Sequence, residues 1–220
     1  MEVSVTLKRL PGVALILTMV AWTAAGVSVT KTAWAKHPYP TPGLETRSWQ
    51  ITFTWHRPMR LMMFVGAGAK RRLKTFWFLR YTVANNTHRN LFFIPRIELV
   101  ADTGKIIRPV ITVSPKMLKK IRTATGDPFI INPALIAGRL LQGADNARES
   151  VAVFTGIPAA ARAFRIFIGG LSGETAVQKN PLTHKPVVLH KTLVLHYWIP
   201  GKAIRIRPRS RLLSKKWVMR

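Results

Sequence analysis

The chain has 220 residues, of which 35 are Lys or Arg and 8 are Asp or Glu, giving a formal net charge of +27, and it has no cysteine. Without cysteine there is no disulfide framework, no thiolate nucleophile and no cysteine-ligated zinc. The charge favours polyanionic partners, whether nucleic acid, anionic lipid or acidic polysaccharide, whatever fold lies beneath it.

The chain opens with Lys8 and Arg9, a nearly unbroken apolar run over residues 13–22, and Ala33-Trp34-Ala35. That order of basic, apolar and small residues predicts a secretory signal over residues 1–35, cleaved after Ala35. Residues 10–29 are long enough to cross a bilayer, so a retained N-terminal anchor is the alternative. Pro11, Gly12 and Gly26 make the stretch a poor membrane helix. Export places the protein in the periplasm or cell envelope and argues against intracellular nucleic acid as its target. Residues 1–35 hold Lys8, Arg9, Lys31 and Glu2, so 32 basic and 7 acidic residues remain beyond them, a net +25.

Pro38, Pro40, Pro42 and Gly43 predict a Pro-rich linker over residues 36–48, followed by a domain over 49–201. Residues 49–56 alternate, with Trp49, Ile51, Phe53 and Trp55 on one face and polar residues on the other, which predicts a half-buried strand. Further strands are predicted over 76–83, 91–100 and 105–113, with Asn85-Asn86 and Asp102-Thr103-Gly104 as turns between them. Residues 66–72 read as a mobile basic loop.

Ser114-Pro115 predicts a helix start, and Met117, Leu118 and Ile121 share one face, so one short helix is expected near 115–123, covering an open end of a sandwich. Four more strands are expected at 136–141, 150–154, 163–168 and 187–198, the last as one or two. The fold class is therefore all-β, an antiparallel sandwich of about eight strands with one inserted helix. Residues 202–220 are basic without an acid and predict an edge strand, with Ile204 and Ile206 alternating with charge, or a tail.

Catalytic motifs are thin. Gly170-Leu171-Ser172-Gly173-Glu174 misses the nucleophile-elbow pattern at Glu174 and lacks a following helix, so Ser172 reads as a turn residue. His190 and His196 would lie about 20 Å apart on one strand, too far to share a metal. Asp102, Asp127 and Asp145 sit beside turn residues and read as turn formers. Asn85-Asn86-Thr87 matches a glycosylation acceptor or a simple turn. Gly66-Ala67-Gly68 lacks the rest of a phosphate-binding loop. No metal or cofactor is expected.

Residues 81–87, 93–104 and 170–174, together with Ser214-Lys215-Lys216-Trp217-Val218-Met219, give the chain a likeness over most of 49–220. It resembles a family of uncharacterised exported proteins from planctomycete-type bacteria, and more weakly the immunoglobulin-like extracellular domains. The resemblance implies an immunoglobulin-like β-sandwich in the cell envelope and brings no activity, cofactor or catalytic residue.

The expected function is a non-enzymatic interaction or structural module of the envelope that binds anionic polymer or lipid headgroups. The expected contact residues are Lys70, Arg71, Arg72, Lys74, Lys116, Lys119, Lys120, Arg205, Arg207, Arg209, Arg211, Lys215 and Lys216. The rival is a hydrolase acting on envelope polymers, which converging acids or histidines in a pocket would favour.

Overall fold

The computed structural model describes residues 40–43, 48–200 and 210–220, so the expected signal, most of the linker and residues 201–209 lie outside the described residues. Every described residue belongs to one unit, Pro38–Arg220. Among the described residues no helix is long and apolar enough to cross a membrane.

The fold is all-β and mostly antiparallel with one short helix, as the alternation predicts. The described residues form twelve strands rather than about eight: β1 Thr52–Trp55, β2 Met59–Val65, β3 Arg72–Asn85, β4 Leu91–Phe93, β5 Arg96–Ala101, β6 Ile106–Ile107, β7 Gly138–Leu140, β8 Gly143–Thr155, β9 Ala163–Gly169, β10 Thr175–Lys179, β11 Pro186–Trp198 and β12 Arg211–Met219. The helix α1 is Pro115–Thr125.

The first sheet is built on β3. One edge of β3 pairs with β8, and the other pairs with β1 and then β2. These two strands are one path interrupted at His56-Arg57-Pro58, where the register against β3 moves by one residue. Pro58 has no amide hydrogen to give, so the ladder breaks there.

The second sheet runs β12–β11–β9–β5–β6, with β10 also on β11. The His190 amide donates to the Arg220 carbonyl (2.8 Å) and the Lys191 amide to the Glu174 carbonyl (3.0 Å). Successive amides point to opposite edges, so β10 and β12 flank β11 on different sides. The region predicted as one strand over 91–100 splits at Pro95. Its first half pairs with β7 in a separate two-stranded ladder, and its second half joins the second sheet. Only Ile106–Ile107 of the strand predicted at 105–113 pairs as a strand, because the chain then crosses to β8, where the Val110 amide reaches the Val153 carbonyl at 2.9 Å.

The sheets share one core. Trp77, Leu79, Tyr81, Val83, Ala152 and Phe154 of the first pack with Leu99, Phe164, Ile166, Ile168, Leu193, Leu195 and Tyr197 of the second. Trp77 and Phe164 meet edge to face at 5.7 Å. The alternate residues Phe76, Phe78, Val151 and Val153 form a second cluster with Met63, Met117 and Ile121. Thus α1 covers the outer face of the first sheet, not an open end. An apolar outer face requires a cover, and burial on both faces explains why residues 76–84 of β3 are largely apolar on both sides.

The helix boundaries follow from local chemistry. Ser114 Oγ accepts the Met117 amide at 3.3 Å, Pro115 occupies the first turn, and Gly126 closes the helix with φ 70°. These satisfy the end groups that a helix cannot bond internally.

Candidate functional site

The expected basic loop at 66–72 is the turn that closes a β2–β3 hairpin, with only Arg72 of it in a strand, and the hairpin is paired from Met59↔Phe78 to Val65↔Arg72. Gly66 has φ 92°, and a Cβ there would lie 2.5 Å from the Lys70 carbonyl oxygen, so only glycine closes this turn without strain. Lys70 ends the short 3-10 turn Gly68–Lys70. Lys70, Arg71, Arg72 and Lys74 are all exposed.

Residue alternation splits this hairpin. Lys74 and Arg72 lie on the side of the strand that carries Phe76 and Phe78, whereas Leu73 pairs with Phe64 on the opposite side. Met63, the partner of Lys74, belongs to the same buried cluster as Met117, which ties the hairpin to α1. Lys116, Lys119 and Lys120 are exposed on that helix. Arg72, Lys74, Lys116, Lys119 and Lys120 therefore share one layer, Lys70 and Arg71 lie at the turn that closes the hairpin, and neither residues 59–78 nor 114–125 contain an acid.

The remaining expected residues lie elsewhere. Arg205, Arg207 and Arg209 are outside the described residues. The edge strand expected around Ile204 and Ile206 lies outside the described residues, whereas β12 sets Arg211, Lys215 and Lys216 in the second sheet, so they belong to another layer. Lys215 lies over the Trp55 ring at 5.0 Å.

The outer face of the second sheet forms a separate basic surface. Arg165 stands beside His196 and Val100, and Lys216 beside Val194, which is flanked by Phe167. Arg220 lies 4.2 Å over the Phe167 ring and donates to Glu98 at 2.7 Å. Glu98 also accepts from Arg108 at 3.3 Å. Burial, with Arg165 and Lys216 adding repulsion, holds the His196 imidazole below its ordinary value of 6.5. A cleft of about 930 Å³ adjoins this face, lined in part by Phe92, Ile94, Arg96, Ile111 and His190.

Two acid-containing clusters join residues far apart in the sequence. Arg80 Nε donates to Glu149, and Arg80 Nη2 lies 3.5 Å from Asp127. Asp127, expected to be a turn former, also hydrogen-bonds Glu149. That bond holds the Asp127 carboxyl low, while burial and then the same bond hold Glu149 high. The signal available in the sequence was Arg80 itself, the one charge between Thr75 and Asn85 in a stretch otherwise rich in aromatic residues, which burial would force to find acidic partners. In the second cluster, buried Lys191 donates to Glu174 at 2.9 Å, and Glu174 accepts the Gly43 amide at 2.7 Å. Part of the expected linker is thereby docked on the second sheet.

Ser172 is a turn residue, its Oγ accepting the Glu174 amide at 3.1 Å. Asp102 ties its turn to the start of β9 by accepting the Arg162 and Ala163 amides. Asn85 is fully buried and donates to the Arg89 and Leu140 carbonyls at 2.7 and 2.9 Å. Its amide nitrogen is thus engaged in the folded chain, so the turn reading fits and the glycosylation reading does not. Among the described residues no three His, Asp or Glu side chains are grouped to hold a metal ion. No family model, curated protein or solved structure matches the chain.

Proposed function

We propose that the chain is an exported, non-catalytic module of immunoglobulin-like sandwich type, which docks on an anionic envelope surface through the layer formed by the β2–β3 hairpin and α1. The carrying observation is that the packing of Met63 with Met117 sets Arg72 and Lys74 in the layer of Lys116, Lys119 and Lys120, with Lys70 and Arg71 at the adjoining turn of the hairpin. Their two segments contain no acid to cancel the field. Such a surface attracts polymer phosphate, sulfate or carboxylate and lipid headgroups alike, with a strength that falls as salt rises.

Strand order supports the sandwich reading. With β1 and β2 taken as one strand, the first sheet has the order first, second, fifth of an immunoglobulin domain, and β6–β5–β9–β11 supplies the order expected of its partner. Helix α1 takes the place of the strand that usually completes the first sheet, and β12 is an addition beside β11. The export reading rests on the signal-like residues 1–35.

The test compares the chain with its K70E/R71E/R72E variant on soluble dextran sulfate, and on anionic and neutral vesicles, at two salt concentrations. The expected result is salt-sensitive binding to the anionic partners that the variant loses. Equal binding of both proteins, unaffected by salt, would overturn the proposal.

One observation favours the hydrolase reading. The Asp127–Glu149 pair has its two proton affinities driven apart, as an acid and base require. Neither acid lines the cleft described above, and both face Arg80, which makes a clamp between α1 and the first sheet the better account. Turnover of a peptidoglycan or polysaccharide substrate that E149Q abolishes would reverse that preference.

A further inference from the structure

We propose that the β2–β3 hairpin inserts its closed end into an anionic lipid bilayer, with Phe64 and Leu73 entering the interface and the surrounding cations engaging phosphate headgroups. This rests on the anionic-surface reading above and selects lipid over soluble polymer as the partner.

The argument begins with the strand pairing. Phe64 and Leu73 face each other across the hairpin on the side of the strand that carries Trp77, a core residue. Trp77 is 2% exposed, whereas Phe64 and Leu73 are 49% and 51% exposed. The apolar inner face of the first sheet therefore continues beyond the part covered by the second sheet. Met62 and Val65 add exposed apolar surface at the same end.

The charge is placed to match a headgroup layer. Lys70 and Arg71 lie in or beside the turn, Arg72 and Lys74 occupy the opposite side of β3, and the Arg71 guanidinium lies 4.3 Å over the Phe64 ring. A soluble polyanion would neutralise these cations but offer no apolar phase to the Phe64–Leu73 pair. A bilayer offers both, with headgroup charge outside and acyl chain beneath. The Met59–Val65 and Arg72–Phe78 segments are in register to the last pair, so entry of the tip does not carry an unpaired strand edge between them into the interface. Charge complementarity and the exposed apolar tip thus select the same occupant.

The β10–β11 hairpin is an internal comparison. It also exposes apolar residues, including Val177 and Leu182, but lacks the run of adjacent basic residues at its turn. Insertion is assigned to β2–β3 because apolar exposure and concentrated charge coincide there.

The experiment uses the full chain and exploits its lack of cysteine. An environment-sensitive dye is attached at L73C or, separately, at L182C, and vesicles of phosphatidylglycerol mixed with phosphatidylcholine are added, some containing lipid with a shallow spin label. The expected result is a blue shift and quenching for the dye at position 73, neither at 182, and neither with dextran sulfate. An unlabelled F64S/L73S variant is expected to bind the vesicles about ten- to a hundred-fold more weakly, the scale of losing two partly inserted apolar side chains. It should keep native affinity for dextran sulfate, which also reports that it is folded.

If K70E/R71E/R72E loses both partners while F64S/L73S binds vesicles like the native chain and position 73 stays in water, insertion is overturned and surface docking stands. If the charge variant binds both partners like the native chain, the anionic-surface reading itself falls. Immersion of position 182 instead of 73 would assign the tip to the wrong hairpin and overturn the inference.

Discussion

The first sheet covers its outer face with α1, whereas the second leaves its outer face without a helix among the described residues. Phe76, Phe78, Val151 and Val153 make the first face apolar, and burying them against Met117 and Ile121 removes them from water. The corresponding positions of the second sheet include Arg165, Phe167, Val194, His196 and Lys216. Val194 is nevertheless only 2% exposed, which long cationic side chains can achieve by laying their aliphatic stems along the sheet. The contrast teaches that two faces of one fold can be stabilised by different means, one by a docked element and the other by its own charged side chains.

The largest effect should come from breaking the covered face. Ile121 is fully buried, and I121A is expected to cost about 2–5 kcal/mol, read as a lowered urea midpoint. Helical circular dichroism should fall before the strand signal, because an eleven-residue helix is marginal without tertiary packing. Coincident loss of both signals would show that the first sheet cannot stand without its cover.

Next in size is the clamp between that helix and the sheet. R80L leaves Asp127 and Glu149 together without their counter-charge and is expected to cost about 1–3 kcal/mol at neutral pH. The cost should shrink on acidification. Removal of Arg80 raises both folded-state proton affinities, and an acid whose folded value is raised loses stability as pH rises through it. In the native chain Glu149 is already held above its ordinary 4.5, so its own contribution falls as pH rises from there through its folded value. A pH-independent deficit in R80L would remove the clamp from this account.

The open face predicts smaller effects. E98Q weakens contacts with Arg220 and Arg108, both exposed, and should cost at most about 1 kcal/mol, less at high salt. Denaturant titrations at low and high salt would measure it, and a salt-independent loss of several kcal/mol would make the two faces alike.

The smallest effect concerns His196. Its folded-state proton affinity is lowered, so its contribution is complete above 6.5 and is lost as pH falls through the folded value. H196N should therefore flatten the stability profile below pH 6.5 while changing little above it. An unchanged acid slope would place the pH dependence elsewhere.

The regular alternation of residues 51–55 and the aromatic run at 76–79 made their strands readable, because backbone periodicity sets which side chains share a face. The Ser114-Pro115 start and Gly126 end likewise made α1 readable from local hydrogen-bond chemistry. The β2–β3 hairpin was concealed because Gly66, Gly68 and the neighbouring cations signal a loop when read locally, while the pairing of the flanking Met59–Val65 and Arg72–Phe78 segments depends on contacts across the turn. Strand β10 was concealed for the same reason, its polar alternation belonging to an exposed hairpin arm.

The sequence by itself determined the charge, the absence of thiol chemistry, the β-rich periodicity and the ends of the helix, all properties of composition or of neighbours along the chain. Tertiary structure decided that α1 lies on an outer face, that Lys74 and Lys116 share a layer while Lys216 does not, and that Arg80, Asp127 and Glu149 converge. Those outcomes depend on register between strands distant in sequence, where a shift of one residue exchanges the two faces of a sheet.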